Sequence, residues 1–398
     1  METALVRVHV LGFRTIEDAS FRPARVTALV GEASAGKSNL LAAVRALLDP
    51  DGAPLTARDL ARGDGPIRIS AELADGSELT LEATPSHLSS VDPRERPAVV
   101  FLPASLRAGR LVARSRRSSA PVRHATRILR TCVDVARSEP PSATESARGL
   151  VRAVERWVDE EVRGVILLLE EPELFLPPQT QRYLYRLLRR LVDGGNQVLY
   201  STHSPAFLNV ARLEELVIAI REDGGGTRLL EPEPLPQDEE FRASSEFDAT
   251  RGEVFLARAA VLVEGMTEKL ALPFVFEAMG HDPDRERISI VECGGKPNIV
   301  VIARVCAAVG IPFVAVHDRD APPGSRPSEA ESKLNALLGE VAGRNRVELA
   351  PDFEGVAGLR SHHHKPAQAF RSFGAAGGRA IPEPLARIVR LAVELAER

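Results

Sequence analysis

The sequence predicts an α/β protein made of two successive units, each built on a largely parallel sheet. Three observations predict it. Short apolar runs that read as strands alternate with longer amphipathic runs that read as helices, first over residues 5–201 and again over 259–317. Gly31-Glu-Ala-Ser-Ala-Gly-Lys-Ser38 fits the pattern G-x-x-x-x-G-K-[ST] and sits between one such strand and one such helix. The acidic, Pro-rich stretch Glu231-Pro-Glu-Pro-Leu-Pro-Gln-Asp-Glu-Glu240 separates the two alternating regions and reads as a linker or domain-edge loop.

The elements follow in order. Residues 5–30 read strand, turn, strand, with Val26–Val30 as the strand that enters the Gly-rich loop. Asn39–Leu48 reads as the helix that leaves it. Ile67–Leu73 and Leu79–Ala83 alternate apolar and polar residues around Asp75-Gly76, the signature of a hairpin. Ala98–Leu102 is another short strand, and residues 120–161 read mainly as helix. Gly164–Leu169 is unbroken apolar, as expected of a strand buried on both faces. A helix over Gln179–Val192 and a strand over Gln197–Ser201 complete the first region. The second reads strand 259–263, helix 267–279, strand 287–292, helix 297–309, strand 312–317. Glu383–Arg398 is an amphipathic helix with Leu385, Ile388, Val389, Ala392 and Leu395 on one face. The boundaries expected are 1–235, with a helical, Arg-rich insertion over about 104–160, a linker 236–258, a second domain 259–375, and the terminal helix 376–398.

The loop chemistry points to a nucleoside triphosphate. Backbone N–H groups at a helix N-terminus surround phosphate, and Gly keeps the turn tight. Gly31, Ser34, Ala35, Gly36, Lys37, Ser38 and Asn39 are the expected contacts, with Lys37 reaching the β- and γ-phosphates and Ser38 holding Mg²⁺. Val165–Leu169 runs into Glu170-Glu-Pro-Glu173. A carboxylate at such a strand end positions Mg²⁺ through water and the next acid polarises the attacking water, which assigns Glu170 to the metal and Glu171 to the water. His203, in Tyr200-Ser-Thr-His-Ser-Pro205, follows the next strand and is expected to face the γ-phosphate.

The second region carries a different set of acids. Glu264 ends one strand and Glu268 lies early in the next helix; Asp318 and Asp320 end a later strand. Carboxylates at the C-terminal ends of parallel strands converge on one crevice, and their oxygens suit Mg²⁺ or Mn²⁺. Such ions can activate water for phosphodiester cleavage. Asp282-Pro-Asp284 has the same spacing as the later pair but no strand before it, and is set aside.

These motifs carry a resemblance. Val6–Ile16, the Gly-rich loop, Glu170-Glu-Pro-Glu173 and Ser201-Thr-His-Ser-Pro205 resemble the ABC-type ATPase branch shared by RecF, SMC proteins and the OLD (overcoming lysogenisation defect) family. The order strand–Glu-Gly, helix, strand, helix, strand–Asp-x-Asp resembles the Toprim domain of topoisomerases, primases and OLD nucleases. An ABC head followed by a Toprim domain resembles the OLD nucleases as a whole. The resemblance implies a DNA endonuclease that binds ATP, acts as a homodimer, and serves phage defence or DNA repair, with a helicase or operon partner conceivable. It also implies roles for Glu354, in Asp352-Phe-Glu-Gly355, as a second-metal ligand, and for Lys365 as stabiliser of charge on the phosphate. Lys296 could contact phosphate but reads more simply as a surface loop lysine, and His362, His363 and His364 as a solvated loop. Three departures stand out. Glu170 replaces the more usual Asp; no Gln lies between Lys37 and Gln179; and the signature loop has Ser146-Ala-Arg-Gly149 as its only candidate. The alternative is a RecF-like, ATP-switched DNA-binding protein that does not cut. A topoisomerase would need a nucleophilic Tyr, and Tyr183, Tyr185 and Tyr200 all fall in the ATPase region.

Composition narrows the class. The net charge of −4 over 398 residues confines any nucleic-acid binding to a local patch. Residues 104–133 supply one: Arg107, Arg110, Arg114, Arg116, Arg117, Arg123, Arg127 and Arg130, with no acid among them. Lys occurs only at 37, 269, 296, 333 and 365, so each marks a place where a compact charge could matter. No apolar run reaches membrane-span length and the N-terminus reads as no secretory signal. Cys132, Cys293 and Cys306 show no metal spacing, which fits a reducing cytoplasm. A cytoplasmic location is the expectation.

Overall fold

The computed structural model describes residues 4–60, 65–84, 87–91, 96–104, 119–133, 142–208, 212–222, 224–234, 251–319, 325, 328–359, 368 and 380–397. The chain divides into two compact units, Met1–Pro232 and Glu233–Arg398.

The first unit holds two sheets. Strands β1 (Leu5–Phe13), β2 (Ile16–Phe21) and β3 (Val26–Val30) lead into helix α1 (Lys37–Leu48). Strands β4 (Ile67–Leu73), β5 (Glu78–Thr84), β6 (His87–Val91) and β7 (Ala98–Leu102) follow. Helices α2 (Ala120–Val133) and α3 (Ala143–Asp159), strand β8 (Val165–Glu170), helix α4 (Pro178–Asp193) and strands β9 (Gln197–Ser201), β10 (Leu216–Arg221) and β11 (Thr227–Leu230) complete it. An antiparallel sheet runs β2-β1-β4-β5-β6, and a second sheet runs β11-β10-β3-β9-β8-β7. The second is parallel except for the β10–β11 edge. Strands β3, β8 and β9 are central and buried on both faces, which is why they read as continuous apolar runs. Leu40, Leu41, Val44 and Leu47 of α1 join one core with residues of both sheets, among them Val8, Ile69, Leu168 and Leu199. That packing fixes where the N-terminal end of α1 points.

The expected long helix over 120–161 is two helices. Ser142 starts the second with a capping box: its hydroxyl accepts the Glu145 N–H, and the Glu145 carboxylate accepts the Ser142 N–H. Trp157 anchors α3 to α2 by donating its indole N–H to the Ala125 carbonyl at 2.9 Å. Strands β10 and β11 were not foreseen, although Leu216-Val-Ile-Ala-Ile220 is apolar enough to have suggested one.

The second unit is a four-stranded parallel sheet in the order β13-β12-β14-β15. Its elements are β12 (Ala259–Val263), α5 (Met266–Ala278), β13 (Ile288–Glu292), α6 (Lys296–Ala308), β14 (Phe313–Asp318), α7 (Glu329–Ala342), β15 (Arg346–Leu349), α8 (Phe353–Ala357) and α9 (Glu383–Ala396). Strands β12 and β14 are adjacent, but their successors lie on opposite sides, so the strand order reverses between them. Helix α9 places Leu385, Ile388, Val389 and Ala392 in the same core as Val261 and Val314. It is part of this unit and not an appendage, as its apolar stripe requires. Part of the segment expected to be linker, 236–258, is also folded: Arg251–Leu256 is a short 3-10 helix that buries Val254 and Phe255. The apolar Val-Phe pair is the only local signal for it, downstream of an acidic, Pro-rich run that reads as linker. All three cysteines are free, and Cys293 and Cys306 are buried. Among the described residues no helix is long and apolar enough to cross a membrane.

Candidate functional site

The Gly-rich loop joins β3 to α1, and its glycines are there for backbone reasons. Gly31 has φ +140°, and a Cβ on it would stand 2.1 Å from the Ala219 carbonyl oxygen. Gly36 has φ +102°, and a Cβ on it would stand 2.2 Å from Thr227 Oγ1. Strands β10 and β11 thus press directly on the loop. Ser34 takes a left-handed conformation at φ 64°. Lys37 is 5% exposed, and its Nζ donates to the carbonyls of Gly31 and Glu32, both at 2.8 Å. Burial pushes its ammonium down to about 8, against the opposing pull of Glu171, Glu173 and Glu32. Ser38 is exposed at the helix start. Asn39 turns to the β1–β2 corner, donating to Thr15 Oγ1 at 2.8 Å and accepting from Arg14 Nη1 at 3.2 Å. Arg14 also donates to Asp59 at 2.9 Å.

The acids of β8 come next. Glu170 ends the strand, half-buried, and accepts the Ala104 N–H at 3.2 Å. Burial raises its pKa, the Ala104 bond opposes this, and the neighbouring Glu171 charge adds to it. Glu171 has φ 44°, a left-handed turn that re-aims its side chain away from the strand. Its N–H donates to the Ser201 carbonyl at 3.0 Å, so β9 holds it. His203 follows β9, and its Nε2 stands 3.7 Å from Glu171 Oε1. Lys37, Glu171 and His203, read from separate motifs, are therefore neighbours at one edge of the parallel sheet. Glu173, the third acid of the β8 motif, is 4% exposed and accepts the His203 backbone N–H. A third acid in Glu170-Glu-Pro-Glu173 is the sequence signal for it.

The expected signature loop is corrected. Ser146, Ala147 and Gly149 lie within α3 and are buried. A Cβ on Gly149 would stand 2.9 Å from the Cys132 carbonyl oxygen. Gly149 lets α2 and α3 approach, and a Ser-x-x-Gly run in a helix mimics a loop in composition only.

In the second unit, Glu264 follows β12 and Asp318 ends β14, flanking the point where strand order reverses. The Asp318 N–H donates to Glu264 Oε1 at 2.8 Å, which joins the two motifs directly. Asp318 Oδ1 accepts the Phe353 N–H at 2.8 Å, bringing in the start of α8 and with it Glu354. Glu268, in the first turn of α5, is 7% exposed. Burial raises its pKa, and the Glu264 and Glu354 carboxylates raise it further. These acids thus share one field, although among the described residues no three stand within reach of a single ion. Mutual repulsion in a half-buried acid cluster is the condition that a hard divalent cation relieves, so the donor set fits Mg²⁺ or Mn²⁺. Beneath it, His317 is held neutral: Nδ1 donates to the Asp318 carbonyl, Nε2 accepts from Arg346 Nε at 2.7 Å, and burial brings its pKa down to about 4.

Lys296 is not the surface lysine expected. It is 3% exposed and its Nζ pairs with Glu331 at 2.7 Å, tying the start of α6 to that of α7. Asp320, Lys365 and His362 to His364 lie outside the described residues, as do Arg107, Arg110, Arg114, Arg116 and Arg117. Arg123, Arg127 and Arg130 are exposed on α2.

Known families match segments of both units. Residues 151–208 match the AAA ATPase domain, and residues 255–320 match the overcoming lysogenization defect protein-like TOPRIM domain. Residues 3–59 match a protein family of unknown function. The chain is 37% identical over 234 residues to the OLD nuclease of Thermus scotoductus strain SA-01, covering 53% of this chain and 44% of that protein. It is 28% identical over 164 residues to the Old nuclease of Escherichia phage P2, covering 39% and 28%. The chain spans less than half the length of these curated relatives. Among solved structures, the SMC head domain from Thermotoga maritima aligns at 17% identity with a TM-score of 0.38, covering 57% of this chain and 99% of that one. The first unit thus carries a match to an ATPase domain, and the second a match to a Toprim domain. The Toprim segment is OLD-like, and the nucleases the chain is similar to are OLD nucleases.

Proposed function

We propose that the chain is an ATP-binding, metal-dependent DNA endonuclease of the OLD type that works as a homodimer. The observation that carries this reading is the direct bond between Glu264 and Asp318 at the strand-order reversal of a Toprim sheet, in a chain that also holds a phosphate loop. In the head, Gly31, Ser34, Ala35, Gly36 and Lys37 cradle the phosphates, and Ser38 and Glu170 hold the nucleotide's Mg²⁺. Glu171 orients the attacking water, and His203 stands with it. In the Toprim domain, Glu264, Glu268, Asp318, Asp320 and Glu354 hold divalent metal, and Lys365 stabilises charge on the scissile phosphate. When bound, Mg²⁺ or Mn²⁺ supplies an activated water and a partner for the leaving oxygen. The exposed Arg123, Arg127 and Arg130 of α2 give DNA phosphates a partner on a chain of net negative charge.

The test is conversion of supercoiled plasmid to nicked or linear form with Mg²⁺, then Mn²⁺, with and without ATP. Cleavage that needs the metal is expected. Metal-independent cleavage would overturn the metal assignment, and ATP-dependent DNA binding without any cleavage would replace this reading with that of an ATP-switched DNA-binding protein.

ATP affinity should depend on pH through Lys37. Its pKa in the free chain is lowered to about 8, and triphosphate binds the charged form. Affinity is therefore full below about pH 8 and falls above it, by up to about tenfold per pH unit. Titrations from pH 7 to 9.5 check this; a flat profile across that window would mean that the Lys37 charge does not govern binding.

A further inference from the structure

The ATPase head contains a buried acid that the assignments above leave without work. Glu173 lies three residues beyond Glu170, past the left-handed turn at Glu171. Its Oε1 accepts two hydrogen bonds, from the Thr202 hydroxyl at 2.7 Å and from the His203 N–H at 2.8 Å. Its Oε2 is buried and has no hydrogen-bond partner among the described residues. Burial raises its pKa, with the two bonds opposing. A residue kept for packing alone would be apolar here, because a buried carboxyl with an unmet oxygen is costly.

The circuit continues on both sides. Thr202 Oγ1 accepts the Ser204 N–H at 3.0 Å, and the Ser204 hydroxyl donates to Gln181 Oε1 at 2.5 Å. Gln181 Nε2 returns to the Leu176 carbonyl at 2.8 Å, in the loop that carries Glu173. The loop after β8 and the segment after β9 are thereby closed into a ring. Glu173 is the member of that ring that touches the backbone of His203. Its charge also reaches Lys37.

We propose that Glu173 is the positioning residue of the ATPase centre: it holds Thr202 and the His203 backbone so that the imidazole stays beside Glu171. This rests on the ATPase reading of the head. Glu173 acts through His203 and not on nucleotide, so its loss lowers turnover more than it weakens binding.

The experiment uses the full chain and two substitutions. Glu173→Met fills the same space without a strong acceptor; Glu173→Gln keeps one amide oxygen for both donors, removes the charge and puts an NH2 in place of Oε2. In the nucleotide-free protein, hydrogen exchange by mass spectrometry over residues 200–207 should rise by roughly 10- to 100-fold for Met and stay near wild type for Gln, the scale of one lost buried acceptor. Steady-state kcat for ATP should fall about tenfold or more for Met, with KM changed by less than about twofold, and Gln should restore most of it. The double variant Glu173→Met/His203→Ala should turn over no more slowly than His203→Ala alone. Should Met not fold, Glu173→Ala carries the same expectations. Gln failing as badly as Met in exchange and turnover overturns the proposal, as does a double variant whose loss equals the product of the singles. A wild-type chain with no ATP turnover overturns it too, while the plasmid-cleavage and ATP-binding tests stand unaffected.

Discussion

Lys37→Ala removes ATP binding, with a loss of at least roughly 100-fold in affinity. The side chain is buried at the N-terminus of α1, and its ammonium is the one cation inside the loop motif. Charge-assisted bonds to phosphate are about twice as strong as neutral ones, and several are lost together. The substitution also deletes the two bonds that close the loop on itself, to the Gly31 and Glu32 carbonyls. Lys37→Arg should not rescue, because a planar guanidinium cannot occupy a space shaped for a compact ammonium. Equilibrium titration with a fluorescent ATP analogue decides; unchanged affinity in the Ala variant would put the nucleotide elsewhere.

Glu264→Gln and Asp318→Ala should abolish plasmid cleavage, a loss of roughly 10²–10³-fold or more given the several kcal/mol that a metal ion contributes to such chemistry. ATP binding should be unchanged in both, since Lys37 lies in the other compact unit. Glu264→Gln is the cleaner of the two. Its amide oxygen can still accept the Asp318 N–H, so charge is removed while the tie between strands persists. Asp318→Ala also frees the Phe353 N–H and loosens the start of α8. Full cleavage by purified Glu264→Gln would locate the reaction at a different centre or in a contaminant.

What the sequence made legible was local and periodic. Strands buried on both faces announce themselves as unbroken apolar runs, and the Gly-rich loop announces itself by the glycines that its backbone requires. Both acid sets were found because they sit at strand ends, where sequence position and spatial position coincide. What stayed hidden depends on contacts distant in the chain. Nothing near Lys296 shows that Glu331 will neutralise it, so exposure was the natural inference for a lysine after two glycines. Gly149 looks like a loop residue until α2 is seen against it. Strand β10 was legible in principle, since Asp223-Gly-Gly-Gly226 follows its apolar run as a turn signal, but its place beside β3 and the phosphate loop is a contact distant in the chain. The work of Glu173 needs Thr202 and His203 folded back onto it, and no window of sequence contains all of them.

Glu268 shows where the fold tolerates conflict with itself. Its carboxyl is buried in the first turn of α5 and repelled by Glu264 and Glu354, so at neutral pH it works against the folded state. A chain shaped by stability alone would relax that site with an amide or an aliphatic side chain. The surrounding core is apolar, with Phe276, Val314 and Leu349 fully enclosed. The conflict at Glu268 lies in the acid crevice, and the apolar core beneath supplies the rigidity that keeps those charges from moving apart.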